Sequence, residues 1–136
     1  MKKALLIASI FLIGFSVQSQ EKVQDKNAKI AFEVDGICGM CKKRIETASL
    51  KTKGVKFASW NVETHQLSLI LDERKTSKAE VQKNILAVGH DIVVDAKTKV
   101  VATKEAYESV HPCCKYRDEE IIKDHEGELK KQKKQN

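Results

Sequence analysis

Apolar and polar residues alternate in several short stretches of the chain, and such alternation is typical of strands with one buried face. The stretches are 29–34, 55–62, 67–71, 92–94 and 100–102. Two segments with helical spacing of apolar residues lie between them. The first spans 38–50. The second begins at a capping box formed by Ser77 and Glu80 and ends at Gly89.

The resulting order of strand, helix, strand, strand, helix, strand predicts an α+β fold. We expect a ferredoxin-like βαββαβ sandwich, with an antiparallel sheet and both helices on one face. This domain is assigned to residues 28–102, after a flexible lead at 20–27. Residues 103–136 form a C-terminal extension, which begins with a short helix at 103–110.

The end of the extension is rich in charge. Residues 115–136 carry basic and acidic side chains with few apolar ones, so they form either a solvated helix or a disordered tail. Disorder is expected for residues 130–134, which contain four lysines.

Residues 1–19 differ from the rest of the chain. Lys2 and Lys3 precede an uncharged apolar run at 4–17, and modest side chains follow it. This organisation predicts a secretory signal peptide. A membrane anchor is the alternative, but the run is shorter than the roughly 20 residues that span a bilayer. We expect an exported, periplasmic protein without a stable membrane span after cleavage.

Charge and composition exclude some functions. The net charge is +6, and it falls to +4 when Lys2 and Lys3 leave with the signal. The aromatic residues are four Phe, two Tyr and one Trp. Neither a dense basic patch nor a stacking platform is available, so we expect no nucleic-acid partner. No catalytic triad, phosphate loop or HExxH motif is present, and we expect no enzymatic activity.

Residues 38–41, Cys-Gly-Met-Cys, are the strongest chemical signal. Gly36 should let the chain turn out of the first strand, so that Cys38 lies in the turn and Cys41 opens a helix. The helix N-terminus and three basic residues favour thiolate over thiol. These residues are Lys42, Lys43 and Arg44. Two soft thiolates suit copper(I) best, whereas a structural zinc site needs four ligands.

The motif resembles the metal loop of the heavy-metal-associated domain, found in copper chaperones, periplasmic mercury-binding proteins and metal-pumping P-type ATPases. The resemblance covers about residues 28–102 and includes several positions outside the loop. They are Ile45, Glu46, Gly54, Val55, Trp60, Asn61, Val62, Ile85, Val88 and Gly89. The resemblance implies a ferredoxin-like fold and a soft metal ion as cargo. Copper(I) is the favoured ion, and zinc, mercury and cadmium are the alternatives. The resemblance also implies a metal-transporting P-type ATPase or another metal-handling protein as partner.

Two departures from the family pattern stand out. The loop is one residue shorter before Cys38 and lacks the usual Met there. The residue after Gly89, which in the family lies near the metal loop, is His90. His90 is either a third metal ligand, a modulator of the thiolates, or a surface residue in a turn.

Cys113 and Cys114 form a second group, preceded by His111. Adjacent cysteines bridge each other poorly. They are therefore metal ligands, disulfide partners of Cys38 or Cys41, or separate thiols, and His111 adds a nitrogen ligand. Some exported proteins of this family look similar in having such a double Cys near the C-terminus.

The remaining histidines and the tryptophan are assigned no metal role. His65 is predicted in the hairpin turn, far from the metal loop. His125 falls in the charged tail, and Trp60 is expected to pack in the core.

These features support three hypotheses. The first is an exported protein that captures a soft ion and transfers or sequesters it, with exposed basic residues after Cys41 guiding an acidic partner. The second is a thiol-disulfide oxidoreductase using Cys38 and Cys41. Against it, Ile37 rather than an aromatic residue precedes the pair, and the only proline is Pro112. The third is a secreted scaffold held by two disulfides.

Overall fold

A computed structural model describes residues 23–135. The predicted signal peptide and the start of the lead therefore lie outside the described residues. Within residues 23–135, no helix has the length and apolar composition needed to cross a membrane. The lead contacts the domain at Asp25, whose N–H donates to a carboxylate oxygen of Glu73 at 2.9 Å.

The domain has the predicted order of elements. Its strands and helices are β1 (Ala28–Val34), α1 (Gly39–Lys51), β2 (Val55–Trp60), β3 (Gln66–Leu71), α2 (Lys78–Ala87) and β4 (Ile92–Val93). The sheet has the order β2-β3-β1-β4, extended at one edge by a two-residue strand β5 (Lys99–Val100), and all pairings are antiparallel. This is a ferredoxin-like sandwich.

The buried face of the sheet follows the predicted alternation. Phe32 and Val34 of β1 are buried, and Ile30 is half-buried. The helices supply the other half of one continuous core, including Ile45 from α1 and Ile85 from α2. The second strand is shorter than predicted. It ends at Trp60, which is fully buried, and not at Val62.

Helix α2 begins with one of the two hydrogen bonds of the predicted capping box. The Ser77 hydroxyl accepts from the N–H of Glu80 at 3.3 Å. The Glu80 carboxylate instead lies 3.9 Å from the ammonium of Lys83. At the other end, Gly89 has a φ of +91°, the left-handed conformation that glycine adopts without strain.

The C-terminal extension is structured. Helix α3 (Lys104–Glu108) is capped by Thr103, as predicted, and a 3₁₀ turn at Pro112–Cys114 follows it. Helix α4 (Glu119–Gln135) then includes residues 130–134, so the predicted disorder of that stretch is wrong. Ion pairs of i,i+4 spacing support α4: Lys123 with Glu119 at 3.9 Å and Lys130 with Glu126 at 3.8 Å.

Candidate metal centre

Cys38 lies where the loop after β1 meets helix α1. It is the N-cap residue, its backbone is extended, and its carbonyl accepts from the N–H of Lys42 at 3.0 Å. Its side chain makes no capping hydrogen bond of ordinary geometry, and the first turn of α1 holds no acidic residue. The sulfur therefore lies beside the N–H groups of the first turn with no competing carboxylate, which favours a negative ligand atom there.

Cys41 is fully buried beneath the loop, and Gly36 makes room for it. A Cβ on Gly36 would lie 3.0 Å from Cys41 Cβ and 3.0 Å from Cζ2 of Trp60. Gly36 has no positive φ, so space rather than a sharp turn requires glycine here. The Trp60 indole donates to the carbonyl of Val34 at 3.0 Å and thereby holds the end of β1 against the loop.

A third sulfur reaches the loop from residues 103–118, which we call the C-terminal arm. Cys38 Sγ lies 3.4 Å from Cys41 Sγ and 3.6 Å from Cys114 Sγ. All three sulfurs lie within 4.8 Å of one another, and all are free thiols. Two sulfurs bound to one ion at about 2.3 Å lie at most about 4.6 Å apart. This three-sulfur cluster can thus close on one ion after a small shift.

The arm is fixed by contacts around the turn between α2 and β4. The Tyr116 hydroxyl donates to the Gly89 carbonyl at 2.8 Å and accepts from the Asp91 N–H at 3.0 Å. Arg117 forms a two-pronged ion pair with the buried Asp91, at 2.6 and 3.1 Å. The Asp91 carboxylate also accepts from the N–H of Ala102 at 2.7 Å. These polar contacts position Cys114, two residues before Tyr116.

Gly89 also admits helix α3 to this surface. A Cβ on Gly89 would approach the carbonyl oxygen of Ala106 to 2.4 Å and Val110 Cγ1 to 2.8 Å. The glycine that ends α2 therefore has a second role, because only a residue without a side chain lets the arm pack so closely.

His90 is fully buried beneath the arm. Its Nδ1 lies 2.8 Å from the carbonyl of Asp35, so Nδ1 carries the proton, and its ring stacks on Tyr116. Burial lowers the pKa of His90, which favours the neutral ring. Within residues 23–135, its Nε2 has no hydrogen-bond partner. His90 is not in the three-sulfur cluster, where Cys114 takes the third position; its ligand role stays a prediction.

Cys113 lies beside the cluster but outside it. Its Sγ is 3.8 Å from that of Cys114 and 3.4 Å from Met40 Sδ. The structure therefore separates two neighbours that the sequence could only treat together: Cys114 faces the metal loop, and Cys113 faces outward.

The thiols do not share the same electrostatic environment. Burial raises the pKa of Cys38, but the N–H of Cys41 and the thiols of Cys41 and Cys114 outweigh it, and the net pKa is lowered. Burial raises the pKa of Cys41 and of Cys114. The surroundings therefore favour the thiolate at Cys38 and the thiol at Cys41, whereas the sequence alone predicted that both cysteines favour the thiolate. Of the three cluster thiols, Cys38 is the one whose surroundings favour the thiolate.

Two of the three basic residues after Cys41 are engaged rather than free. Lys42 pairs with Glu46 at 2.6 Å. The Arg44 guanidinium reaches the carbonyls of Val88 and Ser109 at 3.4 and 3.2 Å. Of the three, Lys43 is exposed, whereas Lys42 and Arg44 are half-buried. Arg44 thus holds the arm against α1, a role its position in a basic run did not indicate.

Two histidines contact the site region in ways the sequence did not indicate. His65 lies at the same end of the sheet as the metal loop, because its carbonyl accepts from Val34 at 2.9 Å; the prediction that it is far away is wrong. It packs there, with its ring stacked on Trp60. His125 of α4 places Nε2 3.0 Å from the carbonyl of Cys113 and so docks the tail onto the arm.

Residues 31–91 match the profile of the heavy-metal-associated domain. This segment of the chain is a heavy-metal-associated domain. The matched segment contains both loop cysteines and His90 but ends before the arm. The third sulfur of the cluster therefore comes from outside the family domain.

Several solved structures are similar to part of the chain. A CopZ metallochaperone is 31% identical over 48% of this chain and 100% of its own, with a TM-score of 0.47. A copper-containing CopA from Bacillus subtilis is 30% identical over 52% and 95%, with a TM-score of 0.45. Oxidized MerP from Ralstonia metallidurans CH34 is 22% identical over 56% and 100%, with a TM-score of 0.42. No curated protein sequence matches the chain.

Proposed function

We propose that this protein captures a soft metal ion, with copper(I) as the favoured ion, and holds it between Cys38, Cys41 and Cys114. The convergence of these three sulfurs within 4.8 Å carries the proposal. Thiolates select soft ions, and three of them suit copper(I) better than zinc, which prefers four ligands in a closed site. Mercury and cadmium are further soft candidates as cargo.

Binding converts thiols to thiolates. The raised pKa values of Cys41 and Cys114 mean that the ion displaces protons from both, whereas Cys38 is already disposed to be a thiolate. The buried positions of Cys41 and Cys114 exclude water from the ion once it is bound.

The third sulfur favours retention with controlled release. A loop with two cysteines leaves a position open for the thiolate of a recipient protein. Here Cys114 occupies that position. A recipient thiolate must therefore displace Cys114, and the arm must move away from the loop. We infer that the protein sequesters the ion until a metal-handling partner, such as a metal-transporting P-type ATPase, moves the arm aside. Export to the periplasm, from the signal-like residues 1–19, belongs to the same proposal.

The test is an anaerobic titration of the reduced full chain with copper(I) against a competing chromophoric chelator. Cys41→Ser should weaken binding by about 100-fold or more, since even outer-shell losses cost 10- to 100-fold. Cys114→Ser should weaken binding by about 10-fold or more and speed the loss of copper to the chelator. Zinc, titrated in parallel, should bind less tightly.

Cys113→Ser is the matched control, because it removes the adjacent thiol but leaves the cluster intact. It should keep the tight ion. Unchanged copper affinity in Cys41→Ser would refute the metal site. Unchanged affinity and release in Cys114→Ser would restrict the site to the loop pair.

The same cysteines support a second candidate, a thiol-disulfide oxidoreductase. The lowered pKa of Cys38, 3.4 Å from Cys41, is the observation that favours it. Catalytic turnover of insulin disulfides would support this activity, and thiol consumption in stoichiometric amounts would refute it.

A further inference from the structure

A second group of soft donor atoms lies beside the three-sulfur cluster, on the outer side of the arm. Cys113 Sγ is 3.4 Å from the thioether sulfur of Met40 and 3.2 Å from Nδ1 of His111. Met40 comes from the first turn of α1, whereas the other two come from the arm. We call these three residues the outer cluster.

Met40 lies at the protein surface beside the arm. It is 50% exposed, yet its sulfur is turned onto a thiol rather than onto the core. His111 is exposed as well, and Cys113 is half-buried. The outer cluster is therefore accessible from solvent, in contrast to the sulfurs of Cys41 and Cys114.

The imidazole of His111 presents an unprotonated Nδ1 to the outer cluster. Its Nδ1 accepts from the backbone N–H of Cys113 at 3.3 Å, so this nitrogen carries a lone pair and no proton, and a bound ion would take the place of that hydrogen bond. A thiolate, a thioether and an imidazole together are soft or borderline ligands, the set that suits copper(I). Because only one of the three is anionic, the outer cluster should hold the ion more weakly than three thiolates do.

The two clusters are directly connected. Cys113 Sγ lies 3.8 Å from Cys114 Sγ, which belongs to the three-sulfur cluster. Two sulfurs at this separation can bind the same ion at once during a transfer, since two sulfurs bound to one ion can lie up to about 4.6 Å apart.

We propose that Met40, His111 and Cys113 form an outer copper(I) site, through which the ion enters and leaves the three-sulfur cluster. In the inward step, the bond from copper(I) to Cys114 Sγ forms as the bond to Cys113 Sγ breaks. Copper stays in the +1 state, the Cys114 proton goes to water, and Cys113 takes up a proton. This inference goes beyond the proposed function, because it adds a second site with its own ligands.

The test follows copper(I) binding to the reduced full chain by anaerobic titration and by NMR of the methionine methyl groups. The wild type should bind two ions, the second more weakly, and the Met40 methyl signal should move with the second. Met40→Leu and His111→Asn should weaken the second ion by about 10-fold or more and leave the first unchanged. Asn is chosen because its side-chain oxygen can still cap the turn at Cys113.

Leu50→Ala is the matched control, since Leu50 lies on the same helix and is 51% exposed. It should bind both ions as the wild type does. A Met40 signal that stays fixed through two equivalents would overturn the outer site, as would a second ion insensitive to Met40→Leu. Failure of the proposed function is distinct, because it would appear as loss of the first, tight ion in the wild type.

Discussion

The two sides of the three-sulfur cluster are built in different ways. Cys38 and Cys41 are three positions apart, and a strand end, a helix N-terminus and the buried Trp60 hold them. Cys114 is 76 positions from Cys38 and is held by polar contacts between the arm and the turn between α2 and β4. The loop side is part of the core, whereas the arm side is attached to it. Under the proposed function, release of an ion therefore requires movement of the arm and not of the core.

Among the substitutions that test the difference between the loop side and the arm side, Gly89→Ala should have the largest effect. The new Cβ would meet the Ala106 carbonyl at 2.4 Å and would occupy a φ of +91°. We expect a loss of about 2–4 kcal/mol in the free energy of unfolding or of arm docking, from strain and overpacking together. Copper(I) affinity should fall to the level of Cys114→Ser. Hydrogen–deuterium exchange should rise in residues 103–118.

Gly127→Ala is the control for this substitution, because a Cβ there meets nothing within 4 Å. It lies inside α4, where alanine should stabilise the helix by about 0.5–1 kcal/mol. If Gly89→Ala bound copper(I) as tightly as the wild type and left exchange in the arm unchanged, close packing of the arm would not matter for the site.

A smaller effect is expected for Arg117→Gln. The change removes the cation from the buried Asp91, which keeps only its hydrogen bond from Ala102. We expect the arm to be less stable by about 1–3 kcal/mol, and copper(I) to pass to a chelator faster than in the wild type. Stopped-flow transfer to the chelator measures this rate.

Lys104→Gln provides the comparison, since the pair between Lys104 and Glu108 is exposed and 3.7 Å apart. Exposed pairs contribute little, so this variant should transfer copper(I) at the wild-type rate. Equal rates in all three proteins would show that the Arg117 pair does not hold the arm.

The smallest effect on the metal site is expected at the opposite end of the sheet, from Asp72→Asn. Asp72 accepts from Arg74 through both carboxylate oxygens at 2.8 Å, and these hydrogen bonds lower its pKa. A lowered pKa in the folded state contributes stability above the unfolded value near 4, and that stability is lost as the pH falls below it. The variant should be less stable than the wild type at pH 7 and approach it at acidic pH, with copper(I) affinity unchanged.

Urea denaturation at neutral and acidic pH, followed by the fluorescence of Trp60, measures this difference. A constant gap between variant and wild type across the pH range would contradict the assigned role of Asp72. Altered copper(I) affinity at pH 7 would contradict the separation of the two ends of the sheet.

Much of the domain was predictable because its signals are local. The alternation of Phe32 and Val34, the cap at Ser77 and the stop at Gly89 each depend on neighbouring residues. The loop cysteines were identified for the same reason, since their spacing and the helix start lie in one short segment. The lengths of β2, β4 and β5 were less well predicted, because strand ends depend on pairing partners.

Contacts between distant segments were not predictable in this way. The location of His65 beside the metal loop depends on the pairing of β1 with β3. The docking of His125 on the carbonyl of Cys113 depends on where α4 begins. The engagement of Arg44 depends on carbonyls 44 and 65 positions away along the chain. Local patterns carry no information about such neighbours.

By itself, the sequence determined the fold class, the family and the loop pair of Cys38 and Cys41, because periodicity, caps and motif spacing are properties of short segments. The tertiary structure decided the rest of the site. It separated Cys114 from Cys113, gave Cys114 the third position next to the loop, and put Met40 and His111 beside Cys113. The physical reason is that a metal site is defined by distances of a few ångströms, and these are set by how the arm packs on Gly89, Asp91 and Tyr116.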